Sequence, residues 1–450
     1  MQGVTLTISL FCSVLALVLR PHHALVVYIA GLLWYPSYLA VSIGTVDIVI
    51  GRFVIGVLFL RCMFDNKIRY QFKWSRLDTW VTVNMIVSIG VMLITQPSMA
   101  IIENRGGFLM DTWFAYIVAR FIITDRAKLV SVVKLVSIIL VPLAILGLIE
   151  SITGWQPFVP LRQFHTWLPG AVERPGNMRW GFTRAVGPFT HPILFGGGFV
   201  LFMPLIYYLR HEKSNWHNLA YIFSALMILG ALSSMSSGPW IMVILVLSCL
   251  IMERYKQWVK PMLITLVFSC IFIEILSNRT FYHVFASYAS RLGGSGWHRA
   301  ALIDVSISHF GEWWLAGYRG EDPGWGHYFG MGHTDVTNEY ILSGVMYGIS
   351  GVIALCVMLF VAFRGLLSAY KKVGHPVMKS LYWYLGSILF AVSAAWMSVS
   401  FFGQLRPLFY CVLGIIGSCS LFPLTQRIRY RKVLIDNNDK GVIQKRITQL

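Results

Sequence analysis

The chain has 450 residues, of which 56% are hydrophobic and only 12% charged, with a mean hydropathy of +0.66. A soluble protein carries about a quarter charged residues, so a soluble globular fold is excluded: there is too little polar surface to cover the apolar runs. The net charge of +18 does not argue for nucleic acid here, because membrane proteins concentrate lysine and arginine in cytoplasmic loops, where they set orientation.

Apolar runs of roughly twenty residues, the length that crosses about 30 Å of hydrocarbon, recur along the sequence. In chain order they are Val4–Leu19, Ala24–Val41, Thr45–Phe64, Thr79–Gln96, Phe108–Ile123, Leu129–Ile149 and Phe189–Leu209. Six more follow at Leu219–Met235, Pro239–Met252, Pro261–Leu276, Glu339–Phe363, Leu381–Ser400 and Pro407–Phe422. They predict an all-α, polytopic helical bundle of 12–13 transmembrane helices, the lower number applying if only one of the first two runs is a span. The first run lacks a basic flank and a cleavage site, so it reads as a retained helix. Residues 1–426 form one membrane domain and 427–450 a basic tail, with no soluble domain and no inverted repeat of the transporter kind.

Alternating the loops between the two faces puts 23 lysines and arginines on one side and ten on the other. The richer side, which includes the tail, is then cytoplasmic. Two long loops, about 151–188 and 277–337, fall on the opposite, extracytoplasmic side. All ten basic residues on that side are arginine, although 13 of the chain's 37 basic residues are lysine. Arginine presents a rigid fork of donors that matches phosphate oxygens two at a time, whereas lysine is a point charge. The pattern points to an anionic, lipid-borne ligand on the outer face. The seven cysteines all lie in apolar runs, so neither a disulfide framework nor a zinc site is indicated.

Two segments concentrate the chemistry. The first runs from Arg179 through Arg184 and Gly187-Pro188 to His191-Pro192 and leads into the seventh run. Its proline and glycine make a tight entry that holds Arg184 and His191 at a helix mouth, where N-terminal amides favour anions. Gly196-Gly-Gly198, just beyond, permits close backbone approach. The second segment contains Arg291 and His298-Arg299, then an amphipathic stretch to Trp314 expected along the membrane interface. A glycine-rich loop with Arg319 and His327 follows, and then His333, Asp335, Thr337, Asn338 and Glu339 open the eleventh run. Asp335 or Thr337 suits its N-cap. His298, His327 and His333 lack metal-ligand spacing, so no metal is expected. Asp47 and Arg52 lie inside the third run, where ionisable groups are costly. Five residues apart, they are poorly placed for each other, so a pair with another helix is expected.

On these motifs the chain resembles the O-antigen polymerase and ligase superfamily of bacterial membrane glycosyltransferases. Arg184-Ala-x-Gly187-x-Phe189 is similar to that family's Arg-x-x-Gly-x-Phe segment, and Ser233-Ser-Met-Ser-Ser237-Gly238 stands where it has Ser-Arg-Gly or Ser-x-Ser-Gly. Arg299 resembles its second loop arginine, and Asn338-Glu339-Tyr340-Ile341 with Gly348-x-x-Gly351 its Asn-x-Tyr-Leu…Gly-x-x-Gly helix start. Together these cover roughly residues 180–355.

The resemblance implies transfer or polymerisation of oligosaccharide units from a polyprenyl-diphosphate carrier, at the periplasmic face of a bacterial inner membrane, without cofactor or metal. Arg184 and Arg299 would hold the diphosphate, with Arg179, Arg291 and Arg319 as further candidates. His333, Asp335 or His191 would be the base, and Asn338 and Glu339 would position the acceptor. Membrane lipids and other envelope-polysaccharide assembly proteins are the expected partners, and nucleic acid is not. Two departures matter. Ligases of this family place a histidine directly before the asparagine, where this chain has Thr337, and the arginine of Ser-Arg-Gly is replaced by Ser237. The first shifts the expectation from ligase toward polymerase. The rival from another class is a lipid-linked oligosaccharide flippase, which predicts charged paths through the helices and short loops.

Overall fold

The computed structural model describes residues 1–165, 177–213, 215–290 and 296–423. The protein is an all-α polytopic helical bundle. Among the described residues, eight helices are long and apolar enough to cross a membrane, and three shorter apolar helices accompany them.

In chain order the main elements are α1 (Gln2–Val18), α2 (Pro21–Trp34), a hairpin of β1 (Ala40–Ile43) and β2 (Val46–Val49), α3 (Ile50–Phe64) and α4 (Arg76–Thr95). Next come α5 (99–122, with a π turn at Met110–Phe114), α6 (Arg126–Thr153), α7 (Pro192–Tyr208), α8 (Trp216–Ser233) and α9 (Ser237–Met252). The last are α10 (Val259–Leu276), α11 (Phe281–Ser290), α12 (Gly296–Ser308), α13 (Glu339–Lys372), α14 (Pro376–Ala395) and α15 (Leu405–Pro423). Each predicted run falls on a helix, but several boundaries move. The second run ends at Trp34, just before Pro36, and the third starts only at Ile50. Between them the β-branched residues of 40–49 pair as a hairpin whose turn uses Gly44 at φ +64°, the conformation glycine adopts at no steric cost.

Helices α3 and α5 carry Arg52, Arg61, Arg105, Asp111 and Arg120 and are satisfied by one another and by neighbours. Arg52 pairs with Asp111 at 2.7 Å across the π turn, so the pair with another helix expected for Arg52 is the one found. Asp47 instead accepts from Ser42 at 2.6 Å. Arg120 forms a two-bond pair with Asp78 on α4, at 2.7 and 2.8 Å, and Tyr116 donates to the same carboxylate.

Helix α13 is broken at Gly348, where φ is +71°. The turn at 314–318 enters the break: Tyr318 N–H donates to the Val345 carbonyl and Trp314 accepts from Ile349 N–H, both at 2.7 Å. A side chain at Gly348 would put its Cβ 2.5 Å from the Leu315 carbonyl oxygen. The kink is therefore made by inserted main chain that takes up the freed helix groups.

The bundle sorts its polar contacts into two ends. At one, Gln2 meets Ser42, Thr45 meets Glu103 and Gln96 meets Glu321. At the other, Arg61 caps the carbonyls of Ala16 and Leu19, Arg126 meets Glu212, and Arg210, Ser380 and Tyr384 converge on Glu253. The amphipathic stretch before Trp314 divides differently from expectation. Leu302 and Trp313 are buried in a small core with Trp325 and Val345, while Ile307 and Trp314 remain exposed.

Candidate functional site

The first motif is held by a residue that has no place in it. Glu150, buried in the last turn of α6, accepts from the N–H groups of Val186 and Gly187 at 2.9 and 3.0 Å. Gly187 turns at φ +54°, and a Cβ there would lie 2.7 Å from the Phe195 ring. Gly187 is thus required twice, for conformation and for space. Gly187→Ala is expected to destabilise by about 1–3 kcal/mol and to displace Arg184. A thermal unfolding midpoint equal to that of the unmodified protein would refute this account of the turn.

Arg184 is buried and donates from Nη2 to the Ser236 hydroxyl at 2.9 Å. Ala185 N–H reaches the Ser233 carbonyl at 3.1 Å, so the serine turn between α8 and α9 runs alongside the motif. Gly196 allows this, since a Cβ there would sit 2.6 Å from Ser234 Oγ. Arg179 belongs to a short hairpin of β3 (Met178–Arg179) and β4 (Phe182–Thr183). Its turn residues, Trp180 and Gly181, have φ of +50° and +82°, as a tight type I′ turn requires. From there Arg179 Nη1 donates to the Met235 carbonyl at 3.3 Å. Met235 is itself left-handed, at φ +44°.

The second loop brings Arg299, on α12, within electrostatic reach of Arg179. Its guanidinium is partly buried and pushed below the ordinary arginine range, first by desolvation and next by the charge of Arg179; Asp335 acts the other way. Among the described residues its Nε has no hydrogen-bond partner. Next to it, His298 Nε2 contacts the Asp335 carbonyl at 3.1 Å. Arg179 and Arg184 therefore both meet the serine turn, and Arg299 lies close enough to Arg179 and to exposed Asp335 to feel both charges.

The other predicted residues are placed as follows. The N-cap of α13 is Asn338, not Asp335 or Thr337: its Oδ1 accepts from Tyr340 and Ile341 N–H, and its Nδ2 donates to the Met397 carbonyl. An asparagine side chain reaches both amides from the extended backbone of the cap position, and both ends of its amide are engaged within the protein. Glu339 accepts from Phe401 N–H at 2.9 Å. His191 is the N-cap of α7, its Nδ1 accepting from Ile193 N–H at 3.1 Å. His333 is exposed on the loop near Asp322. Arg319 is exposed, at φ +57°, on the turn beside the α13 break. No contact brings Arg319 to the three clustered arginines among the described residues. Arg291 and the tail from 427 onward lie outside the described residues.

The segment 396–404, before α15, joins the two halves. Glu339 N–H donates to the Trp396 carbonyl, Phe402 packs against the His191 ring, and Gln404 donates to the carbonyls of Pro188 and Tyr35. Neither Glu150 nor this segment was singled out from the sequence. An isolated acid at the end of an apolar run was the only available signal for Glu150.

No family model matches this chain, and no curated protein matches it.

Proposed function

We propose that this protein is a membrane glycosyltransferase that transfers or polymerises oligosaccharide units from a polyprenyl-diphosphate carrier, acting at the periplasmic face of a bacterial inner membrane. One observation carries the reading: Arg179 and Arg184 both donate to the serine turn, and Arg299, from a loop more than 100 residues further along the chain, lies within electrostatic reach of Arg179. Like charges held together and partly desolvated repel, so such a cluster favours an anion between them. A diphosphate meets that requirement and matches guanidinium geometry.

In the reaction, an acceptor hydroxyl oxygen attacks the anomeric carbon of the donor sugar. The bond from that carbon to the diphosphate oxygen breaks, and the lipid diphosphate leaves with the electron pair. Arg184 and Arg299 stabilise the charge that develops on it, with Arg179 assisting. The hydroxyl proton passes to a base. Of the three candidates, Asp335 is the one beside Arg299, whereas His191 Nδ1 is already committed to its cap. Thr337, in the position where ligases of the resembled family have histidine, favours the polymerase-like form.

The test is an assay of the purified protein with polyprenyl-diphosphate oligosaccharide. Longer lipid-linked products are expected. Product on a different lipid would mean a ligase, and translocation without a covalent product would mean a flippase and overturn the enzymatic reading.

A further inference from the structure

Glu339 and two arginines outside the cluster just described line a cavity of about 120 Å³ between α4, α5, α13 and α15. This is roughly ten times the 10–15 Å³ that admits a single water, so the space is of ligand size. Arg105 and Arg406 share a support: their guanidinium carbons are 5.1 and 5.2 Å from the Phe108 ring. Arg105 is buried and its donors are taken by Tyr347 and Asn104. Arg406 spends only Nε, on the Phe401 carbonyl at 3.0 Å. Its two terminal nitrogens have no hydrogen bond among the described residues, and no ion pair joins it to Glu339.

We infer that this cavity binds a carboxylate-bearing sugar residue of the glycan, a uronic acid in chemical class. This deepens the glycosyltransferase reading and rests on it for the substrate class. Two guanidiniums and one carboxylate leave a net charge of +1 (two minus one), which suits a monoanion. A diphosphate, carrying more negative charge, would be repelled by Glu339. The terminal fork of Arg406 takes the sugar carboxylate in two parallel hydrogen bonds, and Arg105 adds charge without a direct bond. Glu339, which keeps one oxygen for Phe401 N–H, accepts from sugar hydroxyls with the other. Ser343 and the aromatic faces of Tyr410 and Phe108 complete the mixed polar and apolar wall expected of a saccharide pocket. Glu339 follows Asp335, the neighbour of Arg299, by four residues in the chain.

The test is binding rather than turnover. Full-length protein in phosphatidylcholine nanodiscs is titrated with methyl glucuronoside, methyl glucoside and inorganic pyrophosphate, read by saturation-transfer NMR and calorimetry. The glucuronoside should bind at least about ten-fold more tightly than the glucoside. Arg406→Gln should abolish that preference, as should Ser343→Leu, which fills the cavity by a different route. Neither change should alter pyrophosphate binding, which belongs to Arg184 and Arg299. Thermal unfolding midpoints identify any variant that fails to fold. Equal affinity for the two glycosides, no binding of either, or a preference that survives both substitutions overturns the inference. In each of those cases pyrophosphate binding that depends on Arg299 leaves the glycosyltransferase reading intact. Pyrophosphate binding indifferent to Arg299 strikes at that reading alone.

Discussion

Arg184→Lys is expected to lower the turnover number about 100-fold while leaving KM for the lipid-linked donor nearly unchanged. Lysine keeps the positive charge, so ground-state attraction to the diphosphate persists. It cannot hold the Ser236 hydroxyl with one nitrogen and present a second, fixed donor to the departing oxygen, as the guanidinium does from Nη2 at 2.9 Å. Loss of one preorganised donor costs on the order of 100- to 1,000-fold in turnover. A fall in the turnover number without a change in KM is the mark of an interaction strengthened in the transition state. Because Arg184 is buried, the folded fraction of the variant must be measured alongside, by gel filtration and thermal unfolding. A well-folded Arg184→Lys protein with full turnover would remove this residue from the proposed chemistry.

The second large effect concerns stability. Arg120→Ala is expected to destabilise the bundle by about 3–5 kcal/mol, the cost of leaving a buried partner charge unpaired. Asp78 is fully buried and Arg120 nearly so, and α4 and α5 meet at this pair. Asp78 also closes the capping box of α4 with Ser75 and accepts from Tyr116. Asp78→Ala therefore loses a cap worth about 1 kcal/mol in addition to the pair. The double variant removes both charges, so its loss should fall short of the sum of the two single losses by about 2–3 kcal/mol. Reversible unfolding in mixed micelles reads all three. Strict additivity would show that the pair is not coupled, despite bond lengths of 2.7 and 2.8 Å.

These two arginines illustrate what local reading reaches and where it stops. Arg184 stood out because glycine, proline and a helix entry surround it, features that act within a few residues. Arg120 did not, because nothing near it in the chain identifies Asp78, 42 residues earlier, as its partner. The common support that Phe108 gives Arg105 and Arg406 follows only from how α5 and α15 pack. Asn338 was read as a residue for the acceptor, and its capping role required the main-chain angle at the start of α13.

Hydrophobicity and charge are properties of each segment alone, and lipid is a solvent that judges segments one at a time. The amino-acid sequence therefore determined the all-α bundle and the apolar helices long enough to cross a membrane. Which arginines meet was decided by tertiary structure. Within hydrocarbon, apolar faces are interchangeable, and helices choose neighbours by shape: Gly196 against the serine turn, Gly187 under Phe195, Gly348 open to an inserted loop. Those contacts join residues from 8 to more than 30 positions apart, and beside them Arg179 and Arg184 both reach the serine turn, with Arg299 close enough to Arg179 to feel its charge.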